Sequence, residues 1–354
     1  DGFTVGTSVA WNQSSQTMAS WNWKAGGSAP AITYSVKVVS DSGNKYRFDD
    51  FGTSAVTLDL QEGGTYTFDL SDSSNDGHPM KFSETSNGSH GGGSTYSTGV
   101  VYQLDGASVT ESNYVSNFNS ASSRKIIITV AASAPTLYYF CHYHSGMGGQ
   151  VNTNSTFGSS NFSGTEKSTV SINTTAGFSI MAYAGTTAVD TYGHGLSQKP
   201  EMIIIKRRTL TGNWVIYHKD IGATKHLHLN TTDAENTYQY MFNNTEPTNS
   251  LITLSDDGEV NKASSNYVAY VFHSVKGYSK IGSYTGNGNA DGTFVYTGFR
   301  PAWILLKVTS TSNDWILLDN KRDSFNVATK KLLPNESNAE SSDSGVSTDF
   351  LSNG

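Results

Sequence analysis

The chain has 354 residues, which is long enough for two or three domains. Its 23 basic and 30 acidic residues give a formal net charge of −7 without a basic stripe, so nucleic-acid binding is not expected. The single cysteine, Cys141, excludes an intrachain disulfide framework, and no apolar run reaches the roughly 18 residues that predict membrane insertion. Abundant Gly, Ser, Thr and Asn, with no long helical periodicity, predict an all-β chain.

The first segment, residues 1–26, resembles a later part of the same chain. Residues 12–23, which end in Ala-Ser-Trp-Asn-Trp, follow the order of residues 261–272, which end in Val-Ala-Tyr-Val-Phe. We therefore expect residues 1–26 to be closing strands of a preceding or neighbouring sandwich. This predicts either a fragment of a longer tandem protein or completion by a neighbouring copy, and the alternative is that both ends are degenerate.

Two segments without periodicity, 27–33 and 152–167, are predicted to be linkers because they are rich in Gly, Ser, Ala and Asn. They enclose a domain at 34–151. Within it, residues 34–38, 65–70 and 125–130 alternate or run apolar over strand lengths between turn residues, which is typical of a β-sandwich.

One group of residues in this domain has the chemistry of a metal site. A strand ends at Cys141 and is followed by His144 and Met147, while His78 stands in an earlier loop. A thiolate, two imidazoles and a thioether are the ligands that one-electron copper chemistry prefers.

In these motifs the domain resembles the cupredoxin family, whose blue-copper proteins take one His from an early loop and Cys, His and Met from a late loop. The resemblance covers about a third of the chain, implies a Greek-key β-sandwich, and assigns His78, Cys141, His144 and Met147 as copper ligands. Met147 follows His144 by three residues, where many blue-copper loops have four, so a site of three ligands is an alternative. A binuclear site is excluded because it needs two cysteines. The remaining alternative is a sandwich that keeps its shape without copper.

The last part of the chain, 168–354, contains two related halves. Residues 177–220 and 277–321 share the same order of short motifs, including Ile203-Ile204-Ile205-Lys206 and Ile304-Leu305-Leu306-Lys307. We call residues 168–276 the first repeat and residues 277–354 the second repeat, which is predicted to be incomplete.

This part resembles a family of concanavalin-like domains that is common in structural proteins of marine bacteriophages. The resemblance rests on separated motifs such as Gly193-His194-Gly195-Leu196, the isoleucine run at 203–205 and Asn230-Thr231-Thr232-Asp233-Ala234. It implies a lectin-like jelly-roll sandwich with an internal duplication.

Four further expectations concern short runs, residue pairs and single residues. The runs at 203–205 and 304–306 predict strands buried from both sides. Trp214 and Trp315 are interpreted as core residues, with sugar stacking as the alternative. The pairs His142/His144 and His226/His228 are interpreted as surface or interstrand histidines. The alternative is that each pair shares one face of a strand, where three copies around a threefold axis could bind one ion. His90 is placed on a flexible loop that could approach His78.

From these observations we expect a structural, non-enzymatic component of a virus particle or extracellular assembly, such as a tail, fibre or surface decoration. No catalytic residues are predicted, and the sequence assigns no ligand-binding residues apart from the copper ligands. The alternatives are a carbohydrate-binding adhesin and a copper-binding electron carrier. Expected partners are other copies of the chain, other virion proteins or a cell-surface glycan, and the expected location is the virion or the extracellular space.

Overall fold

The computed structural model describes residues 3–8, 12–15, 17–26, 29–153, 158–289 and 291–354. It confirms an all-β chain built from sandwiches. Residues 31–152 form the N-terminal sandwich and residues 159–276 the central sandwich, and both are followed by the second repeat.

The N-terminal sandwich has ten strands in two sheets. The strands are β1 (Ala31–Ser40), β2 (Asn44–Phe48), β3 (Leu58–Asp59), β4 (Thr65–Asp69), β5 (Met80–Ser83), β6 (Val100–Leu104), β7 (Ala107–Val109), β8 (Arg124–Thr129), β9 (Leu137–Cys141) and β10 (Gly149–Asn152). One sheet has the order β2-β1-β4-β8-β6-β7 and the other β3-β10-β9-β5. Neighbouring strands are antiparallel except β1 with β4 and β3 with β10.

The core of this sandwich follows from the two-residue period of its strands. Tyr66 and Phe68 of β4, and Ile126 and Ile128 of β8, are buried, while the residues between them are partly exposed. The strands predicted at 34–38, 65–70 and 125–130 are therefore present. The predicted boundary is wrong by three residues, because β1 begins at Ala31 inside the predicted linker 27–33.

An α-helix interrupts the β pattern of the N-terminal sandwich. It is α1 (Glu111–Asn117), and its N-cap residue Thr110 accepts a hydrogen bond from the backbone N–H of Asn113 at 3.2 Å. A helix of seven residues is too short to produce a visible period, which explains why the sequence did not predict it. Three-residue and four-residue 3₁₀ turns lie at Ser73–Asn75, Gly88–Gly91, Phe118–Ser120 and Ser344–Val346. Among the described residues, no helix combines the length and the apolar content needed to cross a bilayer.

The central sandwich also has ten strands. They are β11 (Ser159–Asn161), β12 (Ser168–Asn173), β13 (Phe178–Ala184), β14 (Asp190–Gly193), β15 (Met202–Arg207), β16 (Trp214–His218), β17 (Lys225–His228), β18 (Asn236–Thr237), β19 (Leu251–Leu254) and β20 (Asn266–Phe272). Eight form one sheet in the order β11-β12-β13-β20-β15-β16-β17-β18, and β14 pairs with β19 in a second layer. The core between the layers includes the fully buried Ile203, Ile205, Tyr267 and Ile252.

The second predicted linker, 152–167, is not a linker throughout, because β11 lies inside it. β11 pairs with β12 of the central sandwich, and its side chains also contact the N-terminal sandwich. Ser160 accepts a hydrogen bond from the Tyr34 hydroxyl at 2.8 Å through its carbonyl, and Phe162 belongs to the N-terminal core. A strand shared in this way docks the two sandwiches against each other.

A buried carboxylate strengthens the same junction. Asp59 of β3 forms an ion pair with Lys167 at 2.9 Å and accepts hydrogen bonds from Thr169 and Asn152. Burial alone would raise the pKa of Asp59, but the Lys167 charge and these hydrogen bonds outweigh it and lower the pKa. The carboxylate therefore stays charged and holds residues of both sandwiches.

The described residues of the second repeat form four strands in two hairpins: β21 (Trp303–Lys307), β22 (Trp315–Asp319), β23 (Lys330–Lys331) and β24 (Ser341–Ser342). The first hairpin packs on the outer face of the large central sheet, where Trp315 contacts a cluster that includes Ile204, Ile216 and Leu227. The run at 203–205 is therefore covered from both sides, as predicted.

The two tryptophans have different environments. Trp315 is buried between the repeats, and its indole N–H donates to the carbonyl of His228 at 2.8 Å. Trp214 is only half-buried and lies on the outer face of the sheet, stacked on Tyr270 with Lys206 over its ring. The prediction of a core position is wrong for Trp214, since its side chain points away from the central core.

His194 is fully buried in the central sandwich and is neutral. Its Nδ1 accepts a hydrogen bond from the backbone N–H of Leu196 at 3.2 Å, while Nε2 faces the carbonyl of Thr248 at 3.3 Å. Burial lowers the pKa of His194 to about 4, against a smaller opposing contribution from the hydrogen bond to Thr248. The unfolded chain binds this proton below about pH 6.5, whereas the folded chain binds it only near pH 4.

We expect the free energy of unfolding to fall as the pH drops from about 6.5 to about 4, because protonation of His194 then favours the unfolded state. The His194→Gln variant should reduce this loss by about 2–3 kcal/mol. Urea unfolding at about pH 8 and about pH 4.5 measures the difference and separates it from any packing effect of the substitution, which is present at both values. An equal pH dependence in the two proteins would contradict the assignment.

Candidate metal centre

Three of the predicted ligands converge at one end of the N-terminal sandwich. The Sγ of Cys141 lies 3.7 Å from Nδ1 of His78 and 3.6 Å from Nδ1 of His144, and one ligand atom from each residue lies within 4.8 Å of the others. A metal bound to sulfur at about 2.3 Å and to nitrogen at about 2.0 Å, with angles of about 110–120°, holds these donor atoms about 3.5–3.8 Å apart. The two observed sulfur–nitrogen separations, 3.7 and 3.6 Å, fall in that range.

Cys141 is positioned by strand pairing. It is the last residue of β9, it is fully buried, and it lies opposite Met80, the first residue of β5. The backbone N–H of His142 continues the ladder by donating to the carbonyl of Pro79 at 2.9 Å. This register places the thiol beside the loop that carries His78.

The loop before β5 is held by hydrogen bonds on both sides of His78. Its N–H donates to the carbonyl of Asn75 at 2.8 Å, and its carbonyl accepts from the hydroxyl of Tyr46 at 2.8 Å. Gly77 has a positive φ of 78°, a conformation that favours glycine, and it turns the chain into His78. The amide group of Asn44 lies 3.4 Å from Nε2, which leaves Nδ1 to face the thiol.

The loop that carries His144 and Met147 is fixed by side-chain hydrogen bonds and by close backbone packing. The side chain of Asn87 bonds with Ser145 Oγ and with the N–H of Gly146, each at 2.8 Å. Gly148 has no room for a side chain, because an added Cβ would lie 1.7 Å from the carbonyl of Tyr139. These contacts fold the loop back onto β9 and set His144 against Cys141.

Met147 is buried within the same hydrophobic cluster as Cys141, and its carbonyl accepts from the N–H of Tyr46 at 3.0 Å. Its thioether therefore lies inside the sandwich rather than in solvent. Its assignment as a fourth ligand stays a prediction, whereas the other three predicted ligands are brought together.

Burial lowers the pKa of His78, and the neighbouring His144 lowers it further when it is charged. The two rings have centroids 4.5 Å apart. A neutral imidazole is the form that binds metal. His144 is exposed on its outer side, as is the neighbouring Tyr143, which is 53% exposed.

The other histidines of this region lie outside the cluster. His142 and His144 do not share a strand face, because β9 ends at Cys141, and the ring of His142 packs against Tyr143 instead. His90 does not approach His78: its Nε2 lies 3.1 Å from the carbonyl of Cys141. It thereby contacts the backbone of a predicted ligand.

The His226/His228 pair lies on β17 beside a cavity of about 300 Å³. His226 is buried, and its pKa is lowered to about 4 by burial and by the charge of His228. His228 is 3.1 Å from a carboxylate oxygen of Glu259. Among the described residues, the only group of three or more His, Cys, Asp or Glu with metal-binding spacing is His78, Cys141 and His144. His226 and His228 share one face of β17, with ring centroids 4.8 Å apart, and His226 is buried within its own chain rather than presented to neighbouring copies.

Sequence reasoning missed Tyr46, Asn44 and Asn87. The only local signal was at Asn87-Gly88, a turn dipeptide in which both residues have positive φ. Tyr46 and Asn44 stand in an ordinary strand sequence, so their roles follow from tertiary packing alone.

Tyr46→Phe tests the support of the His78 loop. We expect this variant to bind copper about tenfold more weakly, because the carbonyl of His78 loses its hydrogen bond and the ligand loses its fixed orientation. Tyr139→Phe is the matched control, since Tyr139 is also buried and its hydroxyl donates to the distant carbonyl of Val56. Unfolding free energies of the two variants should show similar destabilisation. Copper titration should show a loss of affinity only in Tyr46→Phe.

Comparison with known proteins gives one finding. Residues 152–354 match a family described as a domain of unknown function (DUF7483), and this range is more than half of the chain. It covers the central sandwich and the second repeat, and it leaves the candidate metal centre outside the match. No curated protein matches the chain.

Proposed function

The chain belongs to the DUF7483 family, which has no known function, and we propose that its N-terminal sandwich binds one copper ion through His78, Cys141 and His144. The observation that carries this proposal is the convergence of Sγ and two Nδ1 atoms at 3.6 and 3.7 Å. Loops that are hydrogen-bonded independently of any metal hold all three atoms in place.

The donor set favours copper on chemical grounds. A thiolate and two imidazoles in a trigonal arrangement, with a thioether nearby, are the ligands of blue-copper centres. Copper bound in such a set exchanges single electrons between its two oxidation states. The protein's own contribution is to lower the pKa of His78 by burial, to bury the thiol, and to hold the three donors at fixed separations.

The exposure of the site would allow electrons to pass between the copper ion and a partner molecule. Cys141 is fully buried, while His144 is exposed, so solvent reaches the site from the imidazole side only. An electron donor or acceptor would approach through His144 and Tyr143. We therefore propose electron transfer as a consequence of copper binding, which is the electron-carrier alternative predicted from the sequence.

Copper titration of the full chain tests the proposal. We expect one equivalent to bind with an intense visible absorption from the Cys141 thiolate, which the Cys141→Ser variant abolishes and the His144→Ala variant strongly weakens. His142→Gln is the matched control, because this histidine neighbours Cys141 but lies outside the cluster. Tight zinc binding without copper binding, or an absorption that survives in Cys141→Ser, would contradict the proposal.

We also propose that the protein works within an extracellular or virion assembly, and a separate observation favours this. In the second repeat, the consecutive residues Phe294, Val295 and Tyr296 are 38–65% exposed. Exposed apolar groups that lie close together mark contact surfaces with other molecules. A carbohydrate-binding adhesin is the alternative use of the same rings.

We expect the full chain to self-associate with increasing concentration, and replacement of Phe294, Val295 and Tyr296 by Ser to shift it towards monomer. Analytical ultracentrifugation of both proteins measures this effect. Val101→Ser, on the exposed face of the N-terminal sandwich, is the control. A chain that stays monomeric over the whole range contradicts self-assembly, and ring-dependent binding to a glycan array by such a monomer favours the adhesin.

A further inference from the structure

The hairpin of β21 and β22 has an open edge in the described part of the chain. By the repeat, β21 corresponds to β15, because Ile304 follows Ile203 by 101 residues (304 − 203). β15 pairs with β16 on one side and with β20 on the other. Among the described residues β21 pairs with β22 only, so the edge that β20 covers in the first repeat is uncovered in the second.

A segment near the start of the chain corresponds to β20. Because residues 12–23 match residues 261–272, residues 17–23 correspond to β20, and Trp23 takes the place of Phe272. In the central sandwich Phe272 lies opposite Met202, whose counterpart in the second repeat is Trp303. A strand that closes the second repeat as β20 closes the first must therefore place Trp23 against Trp303.

The structure has this contact. The rings of Trp23 and Trp303 are 5.3 Å apart between centroids and meet edge to face. Trp23 also lies 6.3 Å from Phe272, and the next residue, Lys24, accepts a hydrogen bond from Asn173 at 3.0 Å through its carbonyl. Residues 17–22 form no strand, and Met18 is 49% exposed. The side-chain contact expected of the first pair is thus in place, whereas the described residues show no backbone ladder between the two segments.

The second repeat also lacks the burial that this strand would provide. All five residues of β21 are half-buried, whereas Ile203 and Ile205 of β15 are fully buried. Tyr278 and Tyr284, which occupy the place of β13, are 54% and 53% exposed. In the first repeat, β20 lies between β13 and β15 and buries both.

We infer that residues 17–23 add to the open edge of β21 as an antiparallel strand and complete the second repeat within the same chain. The register that starts with Trp23 opposite Trp303 places Ser20 opposite Leu306 and Met18 opposite Val308. The strand satisfies the backbone groups of the β21 edge and buries Met18. The same chain supplies it because Trp23 and Lys24 are already held by their own Trp303 and Asn173.

A disulfide tests this register. Ser20→Cys with Leu306→Cys, in a Cys141→Ser background that removes the native thiol, places two cysteines directly opposite each other. We expect most of the protein to crosslink as a monomer that is two hydrogens lighter, with the bond mapped to these positions by digestion. Ala19→Cys with Leu306→Cys is the matched control, because a shift of one residue turns the side chain to the other face.

Three results would overturn the inference. The first is a disulfide-linked dimer, which would assign the strand to a second copy. The second is equal crosslinking in the Ala19→Cys control. The third is a folded protein that forms no crosslink at all. Hydrogen exchange on the unmodified chain gives an independent answer if the cysteine variants fail to fold. Peptide 17–23 and the β21 peptide should both exchange slowly, and Trp23→Ala should speed both, whereas free exchange of peptide 17–23 in the unmodified chain rejects the strand. Both measurements are independent of copper binding.

Discussion

The pairing of β5 with β9 is the constraint on which the candidate metal centre depends. Because Met80 lies opposite Cys141, the loop that ends in His78 and Pro79 and the loop that begins at His142 leave the sheet side by side. A one-residue shift of this register would turn the thiol to the other face of the sheet and separate it from His78. The rigid sandwich thus holds donor atoms that are 63 residues apart in sequence.

The surrounding hydrogen bonds hold the loops that carry the donors close together. Tyr46 touches both loops, since its hydroxyl bonds to His78 and its N–H to the carbonyl of Met147. Asn87 holds the His144 loop from a third segment. A site supported in this way loses little conformational freedom when it binds a metal, which favours affinity.

The central sandwich and the second repeat have similar sequences but different structures. The run at 203–205 is a central strand, because β20 and β16 pair on its two sides and both layers bury it. The similar run at 304–306 forms a two-stranded hairpin with half-buried residues. The difference lies in the neighbours: an apolar run becomes a buried strand only when a partner covers its edge.

The sequence by itself determined the all-β class, the strands with two-residue alternation, the internal repeat and three metal-ligand candidates that the fold brings together. These features depend on local composition and on residue chemistry, which the chain carries in every conformation. Tertiary structure alone decided that β1 begins at Ala31, that β11 docks the two sandwiches, that Trp214 faces outward, and that Tyr46 and Asn87 support the site. Each of these depends on contacts between residues far apart in sequence, and neither periodicity nor motif spacing contains such contacts.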